Sequence, residues 1–496
     1  MASKSFISWQ IEAKKLTTFW VMFMTLIEEL RKILGGQHVL TGKDKERYSS
    51  DWLGQYSFEP LCVVRPASTE EVSKVVKLAV RFEVKIVPVG GNTGLNGGTH
   101  SDNAISISME RMNNIHEIRP NSKIALVEAG VILANLHQVA SDNDLKFPLT
   151  FGARGSATIG GVLSTNAGGS NVLKYGNTRD LVLGVEIVLP NGEIMNLMSE
   201  LHKDNSGYCL RDLVIGAEGT LGIITQAVLK LFPKPKAYAT AMVAVESLDH
   251  ALSLLNELQE GTGGAVAAYE YMPKRYIQGY MALSSSNRKP FENDYEHLVM
   301  VELETTVELF SKTGVDGQVL LSAELERILN QNLNKGFVYD AHIAQNEEQR
   351  QIMWARREAA TEISLLKRPL INNDIAVPLD MVSKFLDIME KRLPELDQKA
   401  DVFIVSHLGD GNVHYGVWPS QDDEKHKDKI METIEDIVLS LGGSFSAEHG
   451  IGLSKLSSMK RRKDRVALKV MRQIKDAIDP KGIMNPGKVL PREYDS

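Results

Sequence analysis

Three histidines and a glutamate in the last hundred residues are the side chains best suited to chemistry. The run Val405-Ser406-His407-Leu408-Gly409-Asp410-Gly411-Asn412-Val413-His414-Tyr415 sets two imidazoles on either side of a Gly-Asp-Gly-Asn turn signal. In one continuous strand two residues seven apart point to opposite faces, whereas a reversal at the turn lets them converge. A second glycine-bounded loop, Ser444-Phe445-Ser446-Ala447-Glu448-His449-Gly450-Ile451-Gly452, adds a carboxylate and a third imidazole. His407, His414 and Glu448 make a three-ligand set with an open position, the pattern of a catalytic divalent site. A structural metal, or histidines hydrogen-bonded within a core, would draw on the same residue types. Earlier, Trp354-Ala355-Arg356-Arg357-Glu358-Ala359-Ala360-Thr361 would, as a helix, place Arg357 and Thr361 one turn apart, where a guanidinium and a hydroxyl could hold a carboxylate. From pattern alone the preferred reading of that stretch is a solvated charged helix.

The elements that must position these groups are announced by glycine. Between Phe147 and Gly192 glycine recurs at Gly152, Gly155, Gly160, Gly161, Gly168, Gly169 and Gly176, with small residues in the gaps, and the segment runs into an apolar strand, Leu181 to Leu189, and the turn Pro190-Asn191-Gly192. So little side-chain bulk in an ordered segment predicts that something large lies against the backbone, an extended cofactor being the favoured occupant and an irregular core loop the alternative. Upstream, Ser68-Thr69-Glu70-Glu71 predicts a capped helix, and the strand Lys85 to Val89 opens into Gly90-Gly91-Asn92-Thr93-Gly94-Leu95-Asn96-Gly97-Gly98. Backbone N–H groups gathered in such a loop suit a pyrophosphate, although the spacing is neither that of a dinucleotide fingerprint nor that of a P-loop. A third segment, Leu213 to Thr225, leads to a strand expected at Ala227 to Phe232.

Composition sets the limits. A chain of 496 residues exceeds one core, so two or three packed units are expected. Its 56 basic and 63 acidic residues, with no basic run, argue against a nucleic-acid partner. Two cysteines, Cys62 and Cys209, make neither a disulfide scaffold nor a thiolate metal site, and a reducing cytoplasm is the simplest home. The apolar run Phe19 to Ile27 is too short to span a bilayer and lacks a cleavage site. Residues 1–23 read as an extension before a helix from Met24 ended by glycine, with a membrane-surface helix as the second reading. Longer helical periods after Lys236 (Ser247 to Leu258, Val319 to Leu333, Glu347 to Leu366) mark a change of character, and Lys234-Pro235-Lys236 is a plausible boundary.

The three glycine segments in this order, from about residue 40 to the C-terminus, resemble the flavoproteins of the vanillyl-alcohol oxidase (PCMH-type) superfamily. The histidine segments resemble the FAD-linked oxidase C-terminal domain of D-lactate, glycolate and D-2-hydroxyglutarate dehydrogenases. The resemblance implies an α+β fold: a PCMH-type FAD-binding domain of two α/β subdomains (residues 24–235), an α+β substrate (cap) domain with an antiparallel sheet (236–440), and a C-terminal segment (441–496) that completes the active site and returns to the FAD domain. It implies that Gly90, Gly91, Asn92, Thr93, Gly94 and Leu95 hold the FAD pyrophosphate, with Pro88 also binding the cofactor. Pro148, Thr158, Gly160, Gly161, Thr165, Asn166, Gly168, Gly169 and Tyr175, with Glu218, Gly219, Gly222, Ile223 and Ile224, would line flavin and adenine, and Asn485 would lie near the flavin. Asn92 and Thr93 stand where some members carry a His or Cys bonded to FAD, which implies non-covalent FAD. His407, His414 and Glu448 match metal ligands, usually for zinc or manganese, and His449 matches the catalytic base. Arg357, Thr361 and His414 would contact a small 2-hydroxy acid, D-2-hydroxyglutarate or D-lactate. Two positions depart from the D-2-hydroxyglutarate branch, with Asn372 in place of a lysine and Gly416 in place of an asparagine. Reduced FAD would be reoxidised by a quinone or an electron-transfer flavoprotein, which leaves peripheral attachment at the inner membrane face and a homodimer open. The competing reading is a flavin-containing electron-relay subunit of a glycolate-oxidase-like complex.

Overall fold

The computed structural model describes residues 20–315 and 317–492. Most of the expected N-terminal extension, residues 1–19, lies outside the described residues. A helix over residues 20–34 follows, and Leu26, Ile27, Leu30 and Leu34, spaced three and four apart, are its buried face. That face packs with the first sheet, whose strands run in the order Val39–Leu40, Cys62–Val64, Ile105–Ser108, Ile86–Val89. The last three are parallel, as a strand, crossover helix and strand require. The crossover is the expected helix, Thr69–Phe82, which starts where Ser68 Oγ accepts the Glu71 N–H at 3.3 Å and Glu71 Oε2 accepts the Ala67 N–H at 2.7 Å.

A second, antiparallel sheet has the order Ile115–Arg119, Ile124–Glu128, Ile223–Lys230, Val182–Val188, Ile194–Leu197. Its central strand begins at Ile223, four residues before the predicted start at Ala227, because it is buried between two neighbours and enters the ladder directly from the glycine segment. Phe232–Pro233 separates from it and pairs with Leu145–Lys146 instead.

The third sheet is the largest. Seven antiparallel strands run in the order Val338–Ile343, Ala237–Val245, His297–Thr305, Val266–Tyr271, Asp401–His407, Asn412–Trp418, Ile371–Ala376. Side chains alternate across it: Ala241, Val243 and Val245 join the core under helices Leu248–Gly261 and Leu320–Lys335, while Met242 and Ala244 join the opposite core with Phe403 and Val405. The helix expected over Glu347 to Leu366 is two, Glu347–Glu358 and Ala360–Ser364, because Ala359 leaves helical geometry at φ −73°, ψ 7°. The C-terminal tail returns to the first sheet, where the Ile86 N–H donates to Ile483 O and the Asn485 N–H to Ile86 O, each at 2.8 Å.

The Ser68 cap is local and measurable. Ser68→Ala should destabilise the FAD-binding half by about 1 kcal/mol, seen as a lower urea midpoint with an unchanged slope.

Candidate functional site

Three neighbouring strands of the seven-stranded sheet set the site in rungs. Asp374 pairs with His414 and His414 with Val405; two rungs on, Ala376 pairs with Asn412 and Asn412 with His407. The reversal between Asp401–His407 and Asn412–Trp418 therefore brings the two imidazoles together, with ring centroids 5.5 Å apart. This is the convergence that the turn signal implied.

Asp374 then fixes the second loop. Wholly buried, its Oδ2 accepts the backbone N–H groups of Glu448 at 3.0 Å and His449 at 2.8 Å, and its Oδ1 accepts Asn412 Nδ2 at 2.9 Å. Burial alone would raise this carboxyl, but the His449 and Lys455 side chains facing it hold it well below the usual carboxylate range. Glu448 Oε1 ends 3.4 Å from His414 Nε2, 3.6 Å from His449 Nε2 and 3.9 Å from His407 Nε2. The tightest group of donor atoms is Asp374, His414, Glu448 and His449, all within 4.8 Å of one another. Asp374 is already committed to two backbone amides and an asparagine, so it orients the group. His407, His414 and Glu448 remain as nitrogen and oxygen donors, His407 once its Nε2 has given up its proton, a set that fits a divalent ion such as zinc or manganese.

On the far side of His407 lies a buried ion network that the sequence did not announce. Glu270 Oε1 is 2.9 Å from His407 Nδ1, and Arg357 Nε donates to Glu270 Oε2 at 2.5 Å. Burial would lower the His407 imidazole, yet the adjoining Glu270 carboxylate raises it to about 9. His414 has at its Nδ1 only the more distant Asp374 Oδ1, at 3.9 Å, and burial followed by the charge of His449 pushes it well below its ordinary value. Arg357 Nη2 stands 3.4 and 3.3 Å from the two ring nitrogens of His407, so it lies along neither lone pair. The solvated charged helix expected for this stretch is thus overturned: Arg356 and Arg357 are buried, because the helix packs them under Tyr276, whose hydroxyl donates to both their carbonyl oxygens. Thr361 is the second residue of the next short helix and lines the same cavity as Arg357.

That cavity, of about 910 Å³, joins the imidazole cluster to all three glycine segments. Of the sequence-predicted cofactor residues, Pro88, the loop Gly90 to Leu95, Pro148, Thr158, Gly160, Gly161, Thr165, Gly168, Glu218, Gly219, Gly222, Ile223, Ile224 and Asn485 lie in its wall. A Cβ on Gly91 would fall 1.9 Å from Ser156 O, so only glycine lets the first loop lie flat on the second segment. Thr158 Oγ1 and Asn485 Oδ1 are buried in this wall with no hydrogen-bond partner, as expected where a polar cofactor supplies the missing contacts. The residues present fit FAD.

Three expected contacts lie outside the wall. Asn166 turns its Oδ1 to the Arg179 N–H at 2.9 Å, Gly169 packs against Thr150 O, and the Tyr175 hydroxyl is taken up by Glu304. Glu218 reaches the wall, but its carboxylate is spent on the Ile451 and Gly452 N–H groups at 2.6 and 2.8 Å, and burial raises its pKa. It positions the loop that carries His449. Among functional residues missed in the sequence, Glu270 sits in an apolar strand, Val266–Tyr271, where one acidic residue gives no signal. Asp374 is likewise a lone acidic residue in a strand, Ile371–Ala376.

A glycine-lined cavity in a two-sheet cradle, closed by a cap sheet carrying imidazole and carboxylate donors, defines an FAD-dependent oxidoreductase. The chain belongs to the FAD-linked oxidases of the vanillyl-alcohol oxidase (PCMH-type) superfamily: residues 60–198 match the FAD binding domain, and residues 234–489 match "FAD linked oxidases, C-terminal domain". It is 32% identical to a probable mitochondrial D-2-hydroxyglutarate dehydrogenase of Oryza sativa subsp. indica, over 99% of this chain and 86% of that one. It is 31% identical to a putative mitochondrial D-lactate dehydrogenase of Schizosaccharomyces pombe, over 90% of this chain and 85% of that one. The fold is that of p-cresol methylhydroxylase with substrate bound, at a TM-score of 0.74 and 16% identity, covering 96% of this chain and 98% of that one. No helix among the described residues is long and apolar enough to cross a membrane.

The Glu270 network predicts a sharp asymmetry. Glu270→Gln leaves Arg357 buried and unpaired and should cost about 3–5 kcal/mol in urea unfolding, whereas Glu270→Gln combined with Arg357→Met should recover most of that loss.

Proposed function

We propose that the chain oxidises a D-2-hydroxy acid to the 2-oxo acid, with FAD bound non-covalently and a divalent metal, zinc or manganese, held by His407, His414 and Glu448. The observation that carries this is the convergence of those donors and His449 at one end of the glycine-lined cavity. The relatives named as D-2-hydroxyglutarate and D-lactate dehydrogenases support it.

Bound FAD would supply a two-electron acceptor for the Cα hydride at flavin N5. The metal would supply Lewis acidity toward the substrate hydroxyl. The chain's own residues do the rest. His449, with its backbone clamped on Asp374, faces the cavity and takes the hydroxyl proton as the Cα–H bond breaks. Arg357 keeps its Nε on Glu270 and has terminal nitrogens left to hold the substrate carboxylate, with the Thr361 hydroxyl beside it in the wall. Glu270 fixes His407 through Nδ1 and leaves Nε2 as its donor. Asn92 and Thr93 in the first loop offer no nucleophile for a flavin linkage. Electrons leave to a quinone or an electron-transfer flavoprotein, and homodimerisation is compatible with this scheme.

Two outcomes are expected. Chelator treatment should abolish anaerobic bleaching of the flavin by D-2-hydroxy acids, and added zinc or manganese should restore it; bleaching that survives complete metal removal refutes the metal assignment. His449→Gln should keep its FAD and lower the reduction rate by about 10²–10⁴-fold, measured by stopped flow.

A further inference from the structure

The rung next to the imidazole cluster has a character that the reaction itself does not require. Asn372, Gly416 and Phe403 stand opposite one another on the three strands, two residues along from Asp374, His414 and Val405. That displacement is about 7 Å, within reach of the side chain of a substrate held at the cluster. A Cβ on Gly416 would lie 2.4 Å from Phe403 Cδ1 and 2.9 Å from Cε1. The aromatic ring therefore occupies the space that any side chain at 416 would need. Trp418 and Tyr276 hold it from behind, with ring centroids at 6.2 and 6.3 Å. Trp418 Nε1 is itself anchored on Ser364 O at 3.0 Å. Phe403 and Val405 are both buried and both in the cavity wall, and the polar member of the rung, Asn372, is a neutral amide.

The charges in the wall point the same way. Arg357 is paired with Glu270, Arg350 with Glu302, Arg154 with Glu358 and Lys146 with Glu304. The remaining cation, Lys234, donates to Ser141 Oγ at 2.7 Å, beside the two-stranded ribbon of the FAD half. A second substrate carboxylate against Phe403 would be stripped of water beside an aromatic ring, Val405 and a neutral amide, whereas an apolar chain there replaces water with ring and methyl contacts.

We infer that the substrate is a D-2-hydroxy acid whose side chain is apolar and long enough to reach Phe403, an inference that rests on the 2-hydroxy-acid reading above. Phe403 is the specificity-determining residue, and Gly416 makes its position available.

The test uses the full chain loaded with FAD and metal. Anaerobic flavin reduction is followed with D-2-hydroxy-4-methylpentanoate, D-lactate and D-2-hydroxyglutarate. The branched acid should exceed the other two in kcat/KM by at least about tenfold. By calorimetry, 4-methyl-2-oxopentanoate should bind more tightly than 2-oxoglutarate by a similar factor. Phe403→Ala should erase the preference for the branched acid over D-lactate, and Asn372→Lys should shift the ratio toward D-2-hydroxyglutarate. A wild-type preference for D-2-hydroxyglutarate or D-lactate overturns this inference and leaves the dehydrogenase reading standing. Failure of all three acids to reduce the flavin overturns both.

Discussion

A single buried carboxylate, Asp374, holds the chemical end of the molecule together. It lies on the edge strand of the cap sheet, yet it binds the backbone of Glu448 and His449, the side chain of Asn412, and the ammonium of Lys455 at 3.6 Å. These partners come from two separate stretches of chain, around residue 412 and along residues 448–455. A charge withdrawn from water this completely is stable only when its lone pairs are all met, so the loop has little freedom to leave. The placement of His449 and Glu448 is in this sense a consequence of satisfying Asp374.

The same loop is held from the opposite side by the FAD-binding half. Glu218 accepts the Ile451 and Gly452 amides, and Asn96 Nδ2 donates to the carbonyls of His449 and Gly450 at 3.0 and 2.7 Å. Gly168, from the longest glycine segment, comes so near that a Cβ there would lie 2.8 Å from Glu448 Oε2. Cofactor cradle and imidazole cluster thus share one loop as a common wall. A substrate held by the cluster is thereby brought against whatever fills the cradle, the proximity that direct hydride transfer demands.

Charge pairing shapes the rest of the cavity. Two arginines of the cavity wall are kept on carboxylates of the cap sheet: Arg350 makes a two-pronged contact with Glu302, which also accepts Trp354 Nε1 at 2.7 Å, and the buried Arg357 leans on Glu270. Such pairs order the helix Glu347–Glu358 against the sheet and leave apolar surface between them. The cavity is therefore polar at its glycine and histidine ends and aromatic along the strand that carries Phe403.

Much of this was legible in the order of residues. The glycine segments, the capped helix after Ser68 and the turn between His407 and His414 are local signals, because backbone conformation and strand reversal are decided by neighbours in the chain. They were enough to indicate a cradle for an extended cofactor and a donor cluster, while FAD and the cap sheet were what the family resemblance of these segments implied. What sequence could not decide were the partnerships of buried charges. Arg357 belongs to a stretch as polar as any surface helix, and only the approach of Glu270, 87 residues away, makes it a buried, paired group. Tyr175 and Asn166 sit among true cavity residues and yet face elsewhere, since a helix or a left-handed turn sets direction by its packing. Asn372 and Gly416 were visible as isolated departures; the register of three strands makes them one rung and gives the space between them to Phe403. The chain alone determined which chemistry is present, and tertiary structure decided which charges are spent on one another and which surface remains for the substrate, because desolvation and pairing depend on distances that only the folded sheet creates.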